Sequence, residues 1–165
     1  MAGEEQMRQR GFTLLEILGI LLVITVLAAI GINNFLSYQR SLTLRQAATQ
    51  VATDLNRIRT EARRTSQNWI LWVNPSSPTT YVYGPQSNTP SATDSGITAG
   101  QARSASLPTG LQLQISGNNW VRFTAPYGVN ASASSQVATV SRISAPTTQK
   151  INVNIVGVIG KVVVR

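Results

Sequence analysis

The side chains able to do chemistry are few and unevenly placed. The 165 residues include no His and no Cys, which excludes His-assisted triads, thiol nucleophiles, zinc fingers and a disulfide framework. The six carboxylates, Glu4, Glu5, Glu16, Asp54, Glu61 and Asp94, are scattered along the chain. They offer no ligand cluster to a hard cation, so no metal and no cofactor is expected. Asp54 and Glu61 stand seven residues apart, a spacing that puts both on one helix face and could pair them as acid and base. Arg57 lies between them, a neighbour that would keep both ionised and unsuited to proton transfer. No catalytic residue is therefore expected, and no G-x-x-x-x-G-K-[ST] phosphate loop occurs. Fourteen bases give a net charge of +8. A balance of that sign points to nucleic acid, anionic lipid or an acidic protein as partner.

Glu16 is the acid in the most demanding setting. Phe12 to Ile32 is apolar apart from Thr13, Glu16, Thr25 and two glycines. As a helix it would run about 31 Å, enough to cross a hydrocarbon core. Arg8 and Arg10 precede it, which orients the short leader to the cytoplasm and exports the remainder. A cleaved secretory signal with a site near Leu27-Ala28-Ala29, or a plain signal anchor, would also explain an apolar run. Glu16 argues against both, because a carboxylate inside an apolar stretch costs a few kcal/mol and marks a function. The positive end of the helix dipole offsets part of that cost. The helical pattern also continues past Ala29, where a cleaved signal should break.

The segment Gly11-Phe12-Thr13-Leu14-Leu15-Glu16, with the apolar run behind it, resembles the class III signal of type IV prepilins and type II secretion pseudopilins. The likeness covers residues 8–40. It implies cleavage by a membrane prepilin peptidase between Gly11 and Phe12 and methylation of the new Phe12 amine. It also implies an assembly role for Glu16, paired with the Phe12 amine of its own or a neighbouring subunit. A glycine at the cut lets a protease approach the backbone closely, and a buried carboxylate needs such a partner. Where many pilins carry proline, this chain has Asn33. The stretch Gly31-Ile32-Asn33-Asn34 is weakly helical, and a local bend is expected there.

From Phe35 the pattern turns amphipathic. Leu44, Ala48, Val51, Leu55, Ile58 and Ala62 form one helical stripe. Asp54–Arg57 and Arg57–Glu61 stand at pairing distance. One helix is expected from about residue 12 to 66, roughly 80 Å long. Its half over 12–34 would lie in membrane or filament core, and its half over 35–66 would lay the stripe on a globular domain. The arginines of the second half read first as a solvated face.

Residues 67–165 switch to period two. Strands are expected at Trp69–Val73, Thr80–Tyr83, Leu111–Ile115, Trp120–Phe123, Val137–Ile143, Lys150–Val156 and Lys161–Val164, about seven in all. Ser116-Gly117-Asn118-Asn119 reads as a hairpin turn. Residues 84–110 and 125–136 read as loops. Helix first and strands after predicts an α+β, pilin-like fold, with the helix stripe covering an antiparallel sheet. The three tryptophans and Phe123 are expected to fill that interface or a second sheet layer.

The helix end Arg57-Ile58-Arg59-Thr60-Glu61-Ala62-Arg63-Arg64, the aromatic strand after it and the terminal Gly160-Lys161 strand are similar to the pseudopilin H/FimT-like branch of minor pilins. That resemblance implies a non-enzymatic subunit of a type IV pilus, competence or type II secretion filament. It would sit first in the bacterial inner membrane and then with other pilins in the filament. Some FimT-like proteins receive DNA in natural transformation. The comparable positions here are Lys161 and Arg165, with Arg142 and Lys150 as further candidates. The branch's arginine cluster is denser than Gly160-Lys161-Val162-Val163-Val164-Arg165.

Overall fold

A computed structural model describes residues 12–130, 135–156 and 160–164. Residues 1–11, Gly11 included, and Arg165 lie outside the described residues. The chain divides into two compact units, one ending at Gln39 and the other beginning at Arg40.

One helix, α1 (Leu14–Thr65), contributes to both units. In the first unit its described side chains are exposed along the apolar run, with Leu14 and Leu15 each 82% exposed. The helix is continuous through Asn33 and Asn34, where a weak stretch was expected to bend. The Asn33 amide donates to the Ala29 carbonyl at 3.4 Å, and the Thr25 hydroxyl donates to the Leu21 carbonyl at 2.7 Å. Each polar side chain thus satisfies itself against the preceding turn. The helix stops at Thr65 because Ser66 adopts a left-handed conformation, φ 51°, the geometry that closes a helix C-terminus.

Among the described residues the second unit holds nine strands in two antiparallel sheets. β1 (Trp69–Val73), β2 (Thr80–Pro85), β3 (Arg103–Ser106), β5 (Trp120–Thr124) and β6 (Val129–Asn130) form a five-stranded sheet in the order β3-β2-β1-β5-β6. β4 (Leu111–Ile115), β7 (Gln136–Arg142), β8 (Ala145–Val156) and β9 (Lys161–Val164) form a four-stranded sheet in the order β4-β7-β8-β9. The α1 stripe from Leu44 to Ala62 is buried, with the inner faces of both sheets, in one core that includes Leu71, Tyr81, Leu113, Phe123, Val140 and Val153. Burial at about 25 cal/mol per Å² of apolar surface is what holds an amphipathic helix there.

Four further sequence expectations change. Residues 116–119 are not a hairpin turn: β4 pairs with β7 and β5 pairs with β1. The chain crosses between sheets there, tied by Ser116 N–H to Val137 O at 2.9 Å and Val73 N–H to Asn119 O at 2.8 Å. β3 and β6 arise inside the two segments read as loops. Arg-Ser-Ala-Ser has no apolar alternation to announce a strand, and it pairs as the edge of its sheet. The Arg57 pairs are replaced, since Glu61 binds Arg64 at 2.8 Å and Asp54 accepts from the Tyr81 hydroxyl at 2.6 Å. Finally, only Trp69 and Phe123 join the helix-facing core. Trp72 lies buried on the opposite face of the five-stranded sheet, where its indole N–H donates to the Ser91 carbonyl at 2.9 Å. Part of the 84–110 segment therefore covers the sheet's second face, with Ile97 seated on Gly84 so closely that a Cβ would meet its Cγ2 at 2.6 Å.

Candidate functional site

The amino-terminal site begins with Thr13. The Glu16 amide donates to the Thr13 carbonyl at 3.1 Å and to its side-chain hydroxyl at 3.3 Å. Thr13 is thus the N-cap of α1 and Glu16 its third residue, the T-x-x-E arrangement of a capping box. Thr13 is the residue that sequence reasoning missed, although the spacing was visible. The cap fixes the helix start two residues after Phe12 and holds the Glu16 carboxylate at the positive end of the dipole. Phe12 is 72% exposed and stands just ahead of the cap. The apolar stretch that follows is 0% buried.

The candidate DNA residues separate into two places. Lys150 pairs with Ser141, and Arg142 follows at the point where the β7–β8 register shifts. Lys161 pairs with Val156, six residues further along β8. At about 3.3 Å per residue that is roughly 20 Å from Lys150. Lys161 and Lys150 share the outer face of the four-stranded sheet, but they form no single cluster, and Arg165 lies outside the described residues.

Lys161 follows Gly160, which packs on the β5–β6 turn. Gly160, φ 60°, packs so that a Cβ would stand 3.1 Å from the Gly128 carbonyl oxygen and 3.1 Å from Phe123. Gly128, φ 62°, packs in turn against α1, where a Cβ would stand 2.8 Å from the Arg59 carbonyl oxygen and 2.8 Å from the Arg63 Cγ. The Arg59 guanidinium donates its Nε–H to the Gly128 carbonyl at 3.2 Å. Two glycines therefore stack the β5–β6 turn between the end of α1 and the start of β9. That places Arg59 and Arg63 against the turn that carries Tyr127, which is 72% exposed. Nothing in the sequence signals this: residues 59, 128 and 160 are joined only by contact. Among the described residues no group of three or more Asp and Glu side chains is placed to hold a metal.

Residues 6–32 match the prokaryotic N-terminal methylation motif. The fold is similar to two crystal forms of the type IV minor pilin FimU of Pseudomonas aeruginosa. Their TM-scores are 0.59 and 0.58 at 15% identity, covering 74% of this chain and 87% and 92% of those chains. It is similar also to the minor pseudopilin EpsH of the type 2 secretion system of Vibrio cholerae, with a TM-score of 0.53 at 10% identity over 74% of this chain and 95% of that one. At such identities the likeness is one of fold. No curated protein matches the chain.

Proposed function

We infer that this chain, a member of the type IV pilin and pseudopilin superfamily by its methylation motif and its fold, is a minor, non-enzymatic filament subunit. Prepilin peptidase cuts it after Gly11 and the Phe12 amine is methylated. The apolar half of α1 holds it in the inner membrane with the β-rich unit in the periplasm. The same half later packs among other pilin-like helices. Glu16 then meets the Phe12 amine of its own or a neighbouring subunit, which compensates a carboxylate that would otherwise be unpaired in an apolar core.

The observation that carries this reading is the capped, fully exposed apolar helix running on from the motif at Gly11–Glu16. An apolar face of that size is stable only against lipid or against other helices. The test is mass spectrometry of the chain isolated from producing cells and from sheared filaments. A 154-residue chain beginning at methylated Phe12 is expected in both; an intact amino terminus, or absence from every filament fraction, overturns the reading.

A second reading, reception of DNA, is favoured by the excess of base in the second unit. From Arg40 onward there are twelve Lys and Arg against three Asp and Glu. Binding of this kind weakens with salt through counterion release. Retention of duplex DNA that falls with salt, and is lost when Lys161 and Arg165 become alanine, supports it; retention that ignores salt removes it.

A further inference from the structure

Hydrogen bonds place the elements of the second unit along α1. At one end the Trp69 indole N–H donates to the Thr65 hydroxyl at 3.0 Å. The β1–β2 hairpin then runs back along the helix: the Tyr81 hydroxyl reaches Asp54 at 2.6 Å, and the Gln50 amide donates to the Ser106 carbonyl at 3.4 Å. Beyond that level the Leu107 N–H donates to the Thr79 carbonyl at 2.8 Å, and the Ile143 N–H to the Gly110 carbonyl at 2.9 Å. The β7–β8 connection therefore lies toward the Arg40 end of the unit, where the chain arrives from the apolar run. The opposite end of the same sheet packs through Gly160 on Gly128, and Gly128 on Arg59 and Arg63.

The charge of the Arg40 end is one-sided. Residues 40–49, 75–80, 106–113 and 140–151 hold Arg40, Arg45, Arg142 and Lys150, and no Asp or Glu. Among the described residues neither Arg142 nor Lys150 has an ion-pair partner. Ile143 is 51% exposed, and residues 146–150 are exposed as well. Arg142 pairs with buried Leu111, on the side of β7 that bears Ala138 and Val140. Lys150 stands with Asn152 and Asn154 on the other side of the sheet. Two bases on opposite sides of a sheet end cannot close on one compact anion. A broad surface that meets the sheet end-on reaches both, and it covers Ile143 too.

An anionic lipid surface has that breadth and that chemistry. Its phosphates attract bases, its headgroup layer takes up an exposed aliphatic side chain, and the attraction fades over about 8 Å in physiological salt. Only residues 33–39 separate the apolar run from Arg40, about 10 Å of helix. The membrane that takes the run is thus the anionic surface closest along the chain. We propose that Arg142, Lys150 and Ile143 form a contact for anionic phospholipid headgroups, to which Arg40 and Arg45 add charge. It is a resting contact that the chain must break to enter a filament. This rests on the membrane-anchored part of the reading above.

The chain has no cysteine, so Thr148→Cys gives a single labelling site in the exposed β7–β8 connection while keeping Ile143. The full chain, carrying a fluorophore there, is reconstituted into phosphatidylcholine vesicles with or without phosphatidylglycerol, both containing a headgroup-attached nitroxide quencher. Quenching is expected to rise about twofold with phosphatidylglycerol and to lose that gain in high salt. Arg142→Gln plus Lys150→Gln should abolish the gain, and Ile143→Asn should reduce it, with tryptophan emission confirming that both variants fold. A label at Tyr127→Cys, at the opposite end of the unit, should show no gain. Quenching that ignores lipid charge, a gain that survives the double Gln variant, or an equal gain at Tyr127→Cys overturns the proposal. So does a double variant that loses duplex DNA while its quenching is unchanged, since the bases would then serve DNA. Flotation separates the two readings: a chain that fails to float with either vesicle strikes the membrane anchor itself, whereas a chain that floats without the charge-dependent gain strikes only the headgroup contact.

Discussion

Asp54 on α1 and Tyr81 on β2 share a hydrogen bond of 2.6 Å, the phenol donating to the carboxylate. Tyr81 is 1% exposed, and Gln50, one turn before Asp54, donates to the same phenol oxygen at 3.3 Å. The bond ties the polar flank of the helix stripe to the five-stranded sheet. Hydrogen bonds to charged groups contribute about 1.5–3 kcal/mol. Tyr81→Phe is therefore expected to destabilise the second unit by that amount, as measured by thermal unfolding of the detergent-solubilised chain followed through its tryptophans. An unchanged midpoint would show that the bond adds nothing net.

The same pair gives a pH dependence. Burial, and then the neighbouring Asp54, push the Tyr81 phenol above its ordinary value of 10.0. A raised folded value means that the native state keeps its proton where the unfolded chain loses it. Stability is thus full below about pH 10 and falls above it, by as much as ~1.4 kcal/mol per pH unit from this group. Tyr81→Phe should flatten that alkaline slope; equal slopes in both proteins would remove Tyr81 as its source.

Ser66 closes α1 at φ 51°, a conformation that costs a residue with a Cβ about 1–2 kcal/mol. Ser66→Gly is expected to raise stability by about 1 kcal/mol, allowing for the extra freedom glycine gains in the unfolded chain. A lowered unfolding midpoint would contradict this.

Gly128→Ala should be the most damaging of the glycine substitutions around Lys161. The added methyl meets the Arg59 backbone carbonyl at 2.8 Å, and a carbonyl in a helix cannot step aside. Strain and overpacking together suggest a loss of about 2–4 kcal/mol. Gly117→Ala is the control: φ is 83° there, but nothing lies within 4 Å, so only the backbone term of about 1–2 kcal/mol remains. Equal losses at the two sites would mean that the stacked turn is not tightly packed.

Glu16→Gln and Glu16→Ala should leave cleavage after Gly11 largely intact and strongly reduce entry into filaments, with incorporation compared by immunoblot of sheared and membrane fractions. Normal incorporation of either variant would separate Glu16 from assembly.

Much of this protein was legible in order along the chain. The stripe Leu44–Ala62 repeats at helical spacing and is buried residue for residue, and the alternation of Leu111–Ile115 reproduces its burial pattern in β4. Local periodicity records which side of an element is apolar, and that requires no knowledge of the partner. The Gly11–Glu16 segment likewise carries its signal in consecutive residues. The tertiary structure alone decided which strands meet. It sent residues 116–119 across sheets, made edge strands of Arg103–Ser106 and Val129–Asn130, and gave Asp54 to Tyr81 in place of Arg57. It also set Arg59 and Arg63 against Gly128, and left Lys150 roughly 20 Å from Lys161 along the strand. Such pairings are settled by contact between residues distant in sequence, where the free energy of the whole packed core outweighs any local preference.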